Sequence, residues 1–179
     1  FSLYLDSTDG STGDTVCLEV KVQDFQSIIG MQHSFGWDPS KLSLLDVNNF
    51  NLPNLSGTNF NLLPETLDNG STSISWFDLS SPDGVDLTDG STIYSLCFEI
   101  LSTTAGEQLT VAFTEQPTAI EIVDNNTNDL LLLGFFNGQV TVDGNGNTPE
   151  ISSACLGAGS CGATKTADLT LTGGQAPFT

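Results

Sequence analysis

The stretch DTVCLEVKVQDF, residues 14–25, decides the fold class, because its apolar and polar side chains alternate with a period of two. The side chains of Val16, Leu18, Val20 and Val22 form an apolar set. The alternating positions Cys17, Glu19 and Lys21 form a mostly polar set. Such alternation is typical of a strand that buries one face and exposes the other. The stretch therefore predicts a half-buried β-strand.

The same pattern recurs on both sides of this stretch, and helical periodicity is almost absent. The predicted strands are residues 1–5, 14–25, 30–37, 41–47, 71–79, 92–101, 108–113, 118–123 and 131–142. Clusters of Asn, Asp, Gly and Pro separate them, including the turn-rich run at 9–13 that ends the first strand. Residues 51–68 are less regular and are predicted as a loop with one short edge strand. Roughly nine short strands separated by turns favour an all-β fold, a β-sandwich.

The charge balance argues against several classes of function. The 179 residues carry 22 Asp and Glu against 3 Lys and no Arg, which gives a formal net charge of −19. So negative a surface repels phosphate backbones and anionic headgroups, and we expect neither nucleic-acid nor membrane-surface binding. No stretch approaches the roughly 20 apolar residues of a membrane-spanning helix, so membrane insertion is not expected. The composition is typical of a secreted or cell-surface β-protein, whose export signal would lie upstream of the sequence.

The order of several short motifs resembles the cohesin module of bacterial extracellular proteins. The motifs are Gly13-Asp14-Thr15-Val16, Phe25 with Ile28-Ile29-Gly30, Trp37-Asp38-Pro39-Ser40-Lys41-Leu42, Trp76-Phe77, Asp89-Gly90, Ile93 to Ile100 and Phe135-Phe136-Asn137-Gly138-Gln139-Val140. The resemblance covers residues 1–144. It implies a cohesin-like jelly-roll sandwich of nine strands, in agreement with the strand count.

The resemblance also implies a function. Members of this family are binding modules without catalytic activity, best known for holding dockerin modules in cell-surface assemblies. Their partner-binding sheet includes the outward positions of the third strand, where cellulosomal members often carry Asn and Asp. Gly30 and Gln32 occupy those positions here. The resemblance thus implies a protein-binding module that departs from the usual dockerin-contacting pattern on this strand.

The sequence changes character after residue 144. Residues 145–150 are predicted as a flexible linker, and residues 151–179 are too few to form a core of their own. Within this tail, apolar side chains at 167, 169 and 171 alternate with polar ones, which predicts one extended strand. Residues 167–179 also resemble the opening of the immunoglobulin-like repeats of large bacterial surface adhesins. The tail is therefore predicted to begin a further β module or to pack against a neighbouring chain.

The four cysteines are interpreted as two pairs. In the arrangement that the cohesin resemblance implies, Cys17 and Cys97 lie on antiparallel neighbouring strands. They either form a disulfide on the outer face or remain two free thiols, and both states stay open. Cys155 and Cys161 enclose a short Gly-rich loop and most simply pair with each other. No Cys-x-x-Cys spacing supports a metal site.

One loop rich in carboxylates is a candidate calcium site. Asp83, Asp86 and Asp89 recur every three residues, and Asp78 lies just before them. Calcium prefers several oxygen ligands, which these side chains would supply. The spacing does not match an EF-hand, and a solvated turn is the simpler interpretation. Residues 124–129, rich in Asp and Asn, form a second candidate.

The lone histidine and the two tryptophans are interpreted as core residues. His33 has the same parity as Phe35 and Trp37, which predicts a hydrogen-bonded core side chain. Trp37 and Trp76 have core-facing parity, which favours packing over stacking on sugars. With a single histidine, a catalytic triad would need His33 to face outward. The chain is therefore not expected to be an enzyme.

The leading hypothesis is a structural or adhesive module of a secreted or cell-surface protein. It would contact other protein modules, or copies of itself, in a larger assembly or filament. The candidate contact residues of the sandwich are four residues with outward parity: Gln32, Ser34, Ser75 and Phe77. Plain solvent exposure is the alternative interpretation of these residues. The alternating tail residues are candidates for strand addition to a neighbour's sheet: Ala167, Leu169 and Leu171.

A carbohydrate-binding module is the alternative function, because jelly-roll sandwiches often bind sugars. That function requires exposed, coplanar aromatic rings, and the sequence offers few outside the predicted core. Attachment of glycans to the chain is a separate prediction, because residues 6–8 and 14–16 resemble an O-glycosylation signal of some bacterial export systems.

Overall fold

The computed structural model describes residues 1–78, 80, 83–126 and 134–143, and residues 1–143 form one compact unit. In chain order the elements are β1 (Ser2–Leu5), β2 (Thr8–Gly10), β3 (Thr15–Gln23), β4 (Ile28–Gly36), β5 (Leu42–Asn48), a 3-10 helix (Gly57–Asn59), α1 (Pro64–Asp68), β6 (Ser71–Phe77), β7 (Thr92–Ile100), β8 (Gln108–Thr114), β9 (Glu121–Asp124), β10 (Gly134–Phe136) and β11 (Gly138–Val142). Neither helical segment that the structure describes has the length and hydropathy needed to cross a membrane.

Two sheets form a sandwich. One sheet has the strand order β10-β1-β3-β7-β5, and the other has the order β2-β11-β8-β4-β6. The short strand β9 pairs with the first half of β4, and β8 pairs with the last residues of the same strand. The predicted all-β sandwich is confirmed.

The stretch that decides the fold class forms β3 and alternates in burial as predicted. Its four valine and leucine side chains are buried, whereas Cys17 on the other side is exposed. β3 pairs antiparallel with β1 on one side and with β7 on the other. Because β7 also buries most of its side chains, this strand pair contributes much of the core between the sheets.

The last predicted strand, 131–142, contains two strands, β10 and β11, that belong to different sheets, and β1 is likewise followed by β2 in the other sheet. β1 and β10 pair in parallel in the five-stranded sheet, whereas β2 and β11 pair in parallel in the other sheet. Gly138 lies at this crossing. A Cβ atom there would lie 2.4 Å from the Asp6 carbonyl oxygen and 2.7 Å from Leu5 Cβ, so the close approach requires glycine.

The division corrects the prediction that residues 9–13 are only a turn. Asp9 and Gly10 belong to β2, where they pair with Thr141 and Val142 of β11. Asp and Gly have low strand propensity, and tertiary pairing overrides that propensity here.

The connection between β5 and β6 also differs from its prediction. In place of a short edge strand, residues 51–68 contain the 3-10 helix and α1, with one isolated bridge between Phe60 and Ile74. Pro64 begins α1, where its missing N–H costs nothing. Three apolar side chains of the connection are nevertheless buried in the core: Leu52, Leu55 and Phe60.

The interpretation of His33 and the tryptophans as core residues is confirmed. His33 is fully buried, with Nε2 2.8 Å from the Tyr94 hydroxyl. Burial lowers the pKa of His33 from 6.5 to about 3, so the ring is neutral at physiological pH. Trp37 and Trp76 are both buried, and Trp76 Nε1 donates a hydrogen bond to the Pro53 carbonyl oxygen at 2.7 Å.

Cys17 and Cys97 form a disulfide. They lie directly opposite each other in the register of β3 and β7, with their Cα atoms 4.0 Å apart. The bond joins residues 80 positions apart on the outer face of the five-stranded sheet. The disulfide, rather than two free thiols, is therefore the state of this pair in the structure.

Several predictions fall outside the described residues and stay predictions. They are the linker at 145–150, the Cys155–Cys161 pair, the end of the second acidic segment, and the tail strand with Ala167, Leu169 and Leu171.

Candidate functional site

Three neighbouring strands, β9, β4 and β6, present outward side chains on one face of the second sheet. The register aligns these side chains in two rows, Glu121–Gln32–Ser75 and Val123–Gly30–Phe77. We call these six residues the β4–β6 face. They surround a depression of about 220 Å³. Three of the four predicted contact residues, Gln32, Ser75 and Phe77, thus come together.

Phe77 is the most conspicuous side chain of the β4–β6 face, because 55% of its surface is exposed. The alternation of β6 buries Trp76 and turns Phe77 outward. The ring lies against Gly30 on the neighbouring strand, and a Cβ atom at Gly30 would lie only 2.5 Å from Phe77 Cδ2. The absence of a side chain at this position therefore makes room for the ring and keeps the depression open.

Gln32 is held by a residue that the sequence did not identify as part of the site. Its Nε2 atom donates a hydrogen bond to Glu121 Oε2 at 2.9 Å. The alternation of residues 118–123 indicates a strand, and β9 occupies part of that range. Alternation does not reveal which strand lies beside β4, so Glu121 was missed. The bond places an amide and a carboxylate side by side in the Glu121–Gln32–Ser75 row of the face.

The prediction that Ser34 contacts a partner is corrected. Ser34 has outward parity, but its side chain is fully buried under the segment that follows β8. Its Oγ donates a hydrogen bond to the Thr118 carbonyl oxygen and accepts one from the Thr118 N–H, both at 2.8 Å. Ser34 therefore fixes this segment against β4 and offers no polar group to another molecule.

The lysines of the described residues lie elsewhere and are held by carboxylates. Lys21 Nζ is 3.0 Å from Glu19 and 3.3 Å from Asp6, and Lys41 Nζ is 2.6 Å from Glu107. The hydrogen bond from Lys41 is the main cause of the lowered pKa of Glu107. The β4–β6 face consequently offers an aromatic ring, a hydroxyl, an amide and a carboxylate, with no cation among its six residues.

Two acids of the predicted calcium loop hold the backbone between β3 and β4. Asp89 Oδ1 accepts the N–H of Asp24 at 2.8 Å, and Asp86 Oδ1 accepts the N–H of Ser27 at 2.6 Å. Asp24 and Ser27 have φ values of 54° and 55°, in the left-handed region that non-glycine residues seldom adopt. These carboxylates therefore stabilise an uncommon backbone conformation.

The remaining acids of that loop do not complete a ligand cluster. Asp78 accepts hydrogen bonds from the Ser80 N–H and from Asn54 Nδ2. Hydrogen bonding by Ser80, first through its side chain and then through its backbone, is the main cause that holds the pKa of Asp78 below its usual value. In the described residues, no three His, Cys, Asp or Glu side chains lie close enough together to hold a metal ion. The calcium site on Asp78, Asp83, Asp86 and Asp89 gains no support there and stays a prediction.

The two-sheet sandwich, with a depression on its β4–β6 face, is the architecture of a β-sandwich module. Residues 1–148 match the family model of the cohesin domain. Because this match spans most of the chain, the chain belongs to the cohesin domain family. Cohesin domains are non-catalytic modules of protein–protein interaction. No curated protein sequence matches the chain significantly.

Solved cohesins share the fold at low sequence identity. The solution structure of CaCohA2 from Clostridium acetobutylicum is 22% identical, with 80% of this chain and 90% of that chain covered and a TM-score of 0.61. The sixth cohesin of scaffoldin B from Acetivibrio cellulolyticus, solved with a Cel5 dockerin, is 19% identical, with 80% and 99% covered and a TM-score of 0.65. A non-cellulosomal cohesin from the archaeon Archaeoglobus fulgidus is 17% identical, with 79% and 89% covered and a TM-score of 0.60.

Proposed function

We propose that this cohesin module binds another protein module through the β4–β6 face, within a larger assembly outside the cell. The single observation that carries the proposal is the exposed ring of Phe77 beside the side-chain-free Gly30. An exposed aromatic next to a depression is the kind of anchor around which protein interfaces concentrate their binding energy. The neighbouring polar row supplies groups that can orient a partner.

The chemistry of the face predicts what the partner presents. Phe77 and Val123 offer apolar surface, so the partner needs an apolar side chain that enters the depression. Glu121 and Ser75 accept hydrogen bonds, so the partner needs donors beside that side chain, and a lysine or arginine would suit the carboxylate. Several similar cohesin structures are complexes with dockerins. We expect a module in the same role here, selected by an apolar contact on Phe77.

The burial of both tryptophans weakens the alternative of a carbohydrate-binding module. Sugar binding by such modules uses exposed, coplanar rings, and the β4–β6 face contains one aromatic ring. Glycan attachment at residues 6–8 or 14–16 stays a separate prediction, which the intact mass of the native protein would test.

Three features support the extracellular setting. A similar cohesin solved with a dockerin comes from a scaffoldin, the Cys17–Cys97 disulfide is suited to an oxidising compartment, and the net charge of −19 favours solubility. Adhesion, filament formation and strand addition by residues 167–171 are proposals about how the module is assembled. Deletion of residues 145–179 would abolish self-association of the chain, measured by sedimentation, if the tail joins neighbouring copies.

Photo-crosslinking from the face tests the proposed function. The full chain with p-benzoylphenylalanine in place of Ser75 is irradiated in the extracellular and cell-wall fractions of its source, and the adduct is identified by mass spectrometry. The purified partner is then titrated calorimetrically. We expect Phe77→Ser to weaken binding at least about tenfold, as for a central anchor residue. Phe136→Ser is the matched control, because Phe136 is equally exposed, at 57%, on β10 of the other sheet.

The outcomes separate the two functions. Equal affinity of the Phe77→Ser variant and the wild type would contradict the proposed face. An adduct that contains glycan and no protein would instead support the carbohydrate alternative.

A further inference from the structure

A second apolar surface lies beside the edge strand β5. The described residues expose six large apolar side chains, and four of them are leucines near this edge: Leu45, Leu62, Leu63 and Leu101. Scattered exposed leucines need no explanation, but a contiguous patch on a soluble domain marks an interaction site.

Three of these leucines, Leu45, Leu62 and Leu101, line a groove between β5 and α1. Two depressions of about 340 and 200 Å³ share Leu44 and Leu67, so they adjoin each other. We call this the β5–α1 groove and define it by Leu44, Leu45, Leu62, Leu67 and Leu101. The groove is therefore long enough to hold two neighbouring side chains of one segment.

A β-bulge explains why a leucine points into solvent on this edge. β5 ends its sheet and pairs with β7, and the register shifts between Leu44 and Asp46. The extra residue is Leu45, which is 54% exposed. Bulges on edge strands commonly redirect a side chain and end pairing. Here the bulge redirects an apolar side chain into the groove, where a polar residue would protect the edge better.

The charges around the groove restrict its occupant. Asp46 and Asp68 line it and are exposed, and the nearby Lys41 is held by Glu107. A second copy of the chain would bring a further charge of −19 to the same place. Like charges oppose such an approach, whereas a basic partner is attracted to it.

We propose that the β5–α1 groove is a second docking surface, for a basic segment of a partner protein that carries leucine-sized apolar side chains. Two apolar side chains fill the adjoining depressions, and lysine or arginine side chains meet Asp46 and Asp68. The surface is separate from the β4–β6 face. α1 leads into the start of β6, and Phe77 ends that strand, so about 20 Å of extended chain lies between the two sites. One module thus holds two partners at once.

Peptide titrations of the ¹⁵N-labelled full chain test this docking surface. The probes are three synthetic peptides of equal length, composed of Lys and Leu, of Lys and Ser, and of Glu and Leu. We expect only the Lys/Leu peptide to give saturable shifts of the amide signals of residues 42–48 and 62–68. Leu45→Ser should weaken its binding at least about fivefold, because it removes one apolar anchor. Phe136→Ser, an equally exposed control on the opposite edge strand, should not.

Other outcomes would overturn the proposal. Equal affinity for the Lys/Ser peptide would show attraction by net charge alone, and unchanged affinity of the Leu45→Ser variant would remove the groove from binding. Dimerisation in sedimentation experiments that Leu45→Ser abolishes would assign the groove to a second copy. Phe77→Ser should leave peptide binding intact, so failure of this site and failure of the β4–β6 face are distinguishable.

Discussion

The two sheets differ in the outward face of one strand pair each, β3 with β7 in the first sheet and β4 with β6 in the second. On β3 and β7, the opposing residues Cys17 and Cys97 are joined covalently, and Glu19 accepts hydrogen bonds from Lys21 and Thr92. On β4 and β6, the residue opposite Phe77 is Gly30, which has no side chain to cover the ring. On the first face these outward side chains bond to one another, whereas the second face leaves the Phe77 ring exposed.

This difference shows how one fold provides both a stable wall and a binding surface. Cross-strand pairs that bond to each other stabilise a sheet but offer little to another molecule. A glycine opposite an aromatic contributes little to the sheet but creates a depression with an apolar rim. Substitutions at these pairings, and at the core side of β4, test the difference between the two sheets.

The largest expected effect concerns the disulfide. Changing Cys17 and Cys97 together to Ser should lower the free energy of unfolding by roughly 3–4 kcal/mol, because the bond closes a long loop in the unfolded chain. Urea denaturation followed by tryptophan fluorescence would measure the loss. Wild-type protein with a reductant is the control and should lose a similar amount. A loss below 1 kcal/mol would mean that this face does not depend on its covalent link.

The next effect concerns His33, on the core side of β4. Its pKa is about 3 in the folded protein and near 6.5 when unfolded, so the unfolded chain binds more protons as pH falls below 6.5. This group should therefore cost about 2 kcal/mol of stability between pH 7 and pH 5. Unfolding curves at both pH values would show it.

The matched variant for this comparison is His33→Gln, which keeps a polar group near the Tyr94 hydroxyl. Its stability should change much less between pH 7 and pH 5, where most carboxylates remain ionised. The same pH dependence in both proteins would place its origin in other groups.

Gly30→Ala should affect binding more than stability. The new methyl group would collide with the Phe77 ring, but the ring is more than half exposed and can swing outward. We expect a loss of less than about 1 kcal/mol in stability and a clear loss of affinity for the crosslinked partner. Gly36→Ala on the same strand is the control, since its methyl group would meet Thr114, outside the depression. If Gly30→Ala and Gly36→Ala differed in stability but bound the partner with equal affinity, this expectation would be contradicted.

The smallest effect should come from the ion pairs beside the disulfide. Lys21→Met removes the contacts with Glu19 and Asp6, which are partly exposed, and should cost about 0.5 kcal/mol, less at high salt. Thermal unfolding in low and high salt would measure it, with Lys41→Met as a second isolated pair for comparison. A loss of several kcal/mol would make the charges, rather than the covalent bond, the main stabilisers of this face.

Much of the fold was predictable because alternation reports burial directly. The inward side of β3, the core position of His33 and the outward position of Phe77 all follow from a period of two. The change of sheet between β1 and β2 does not, because a strand keeps its alternation locally whichever sheet it joins. α1 was missed since its five residues are too few to show helical periodicity.

The candidate site was predictable only in part, for a related reason. Parity states which way a side chain points but not what covers it. Ser34 points outward and is nevertheless buried under Thr118, and Glu121 reaches Gln32 from a strand that pairs with β4 across 89 positions of sequence. The outward position of Leu45 was not predictable, because alternation does not detect the bulge that turns this side chain outward.

The paired terminal strands have a mechanical consequence. The segment from Ser2 to Gly10 and the segment from Gly134 to Val142 run in the same direction, side by side, through both sheets. The module's first and last strand residues therefore lie at opposite ends of the sandwich. A tensile load applied between them pulls the two segments past each other, so their hydrogen bonds share the load in shear instead of opening one after another.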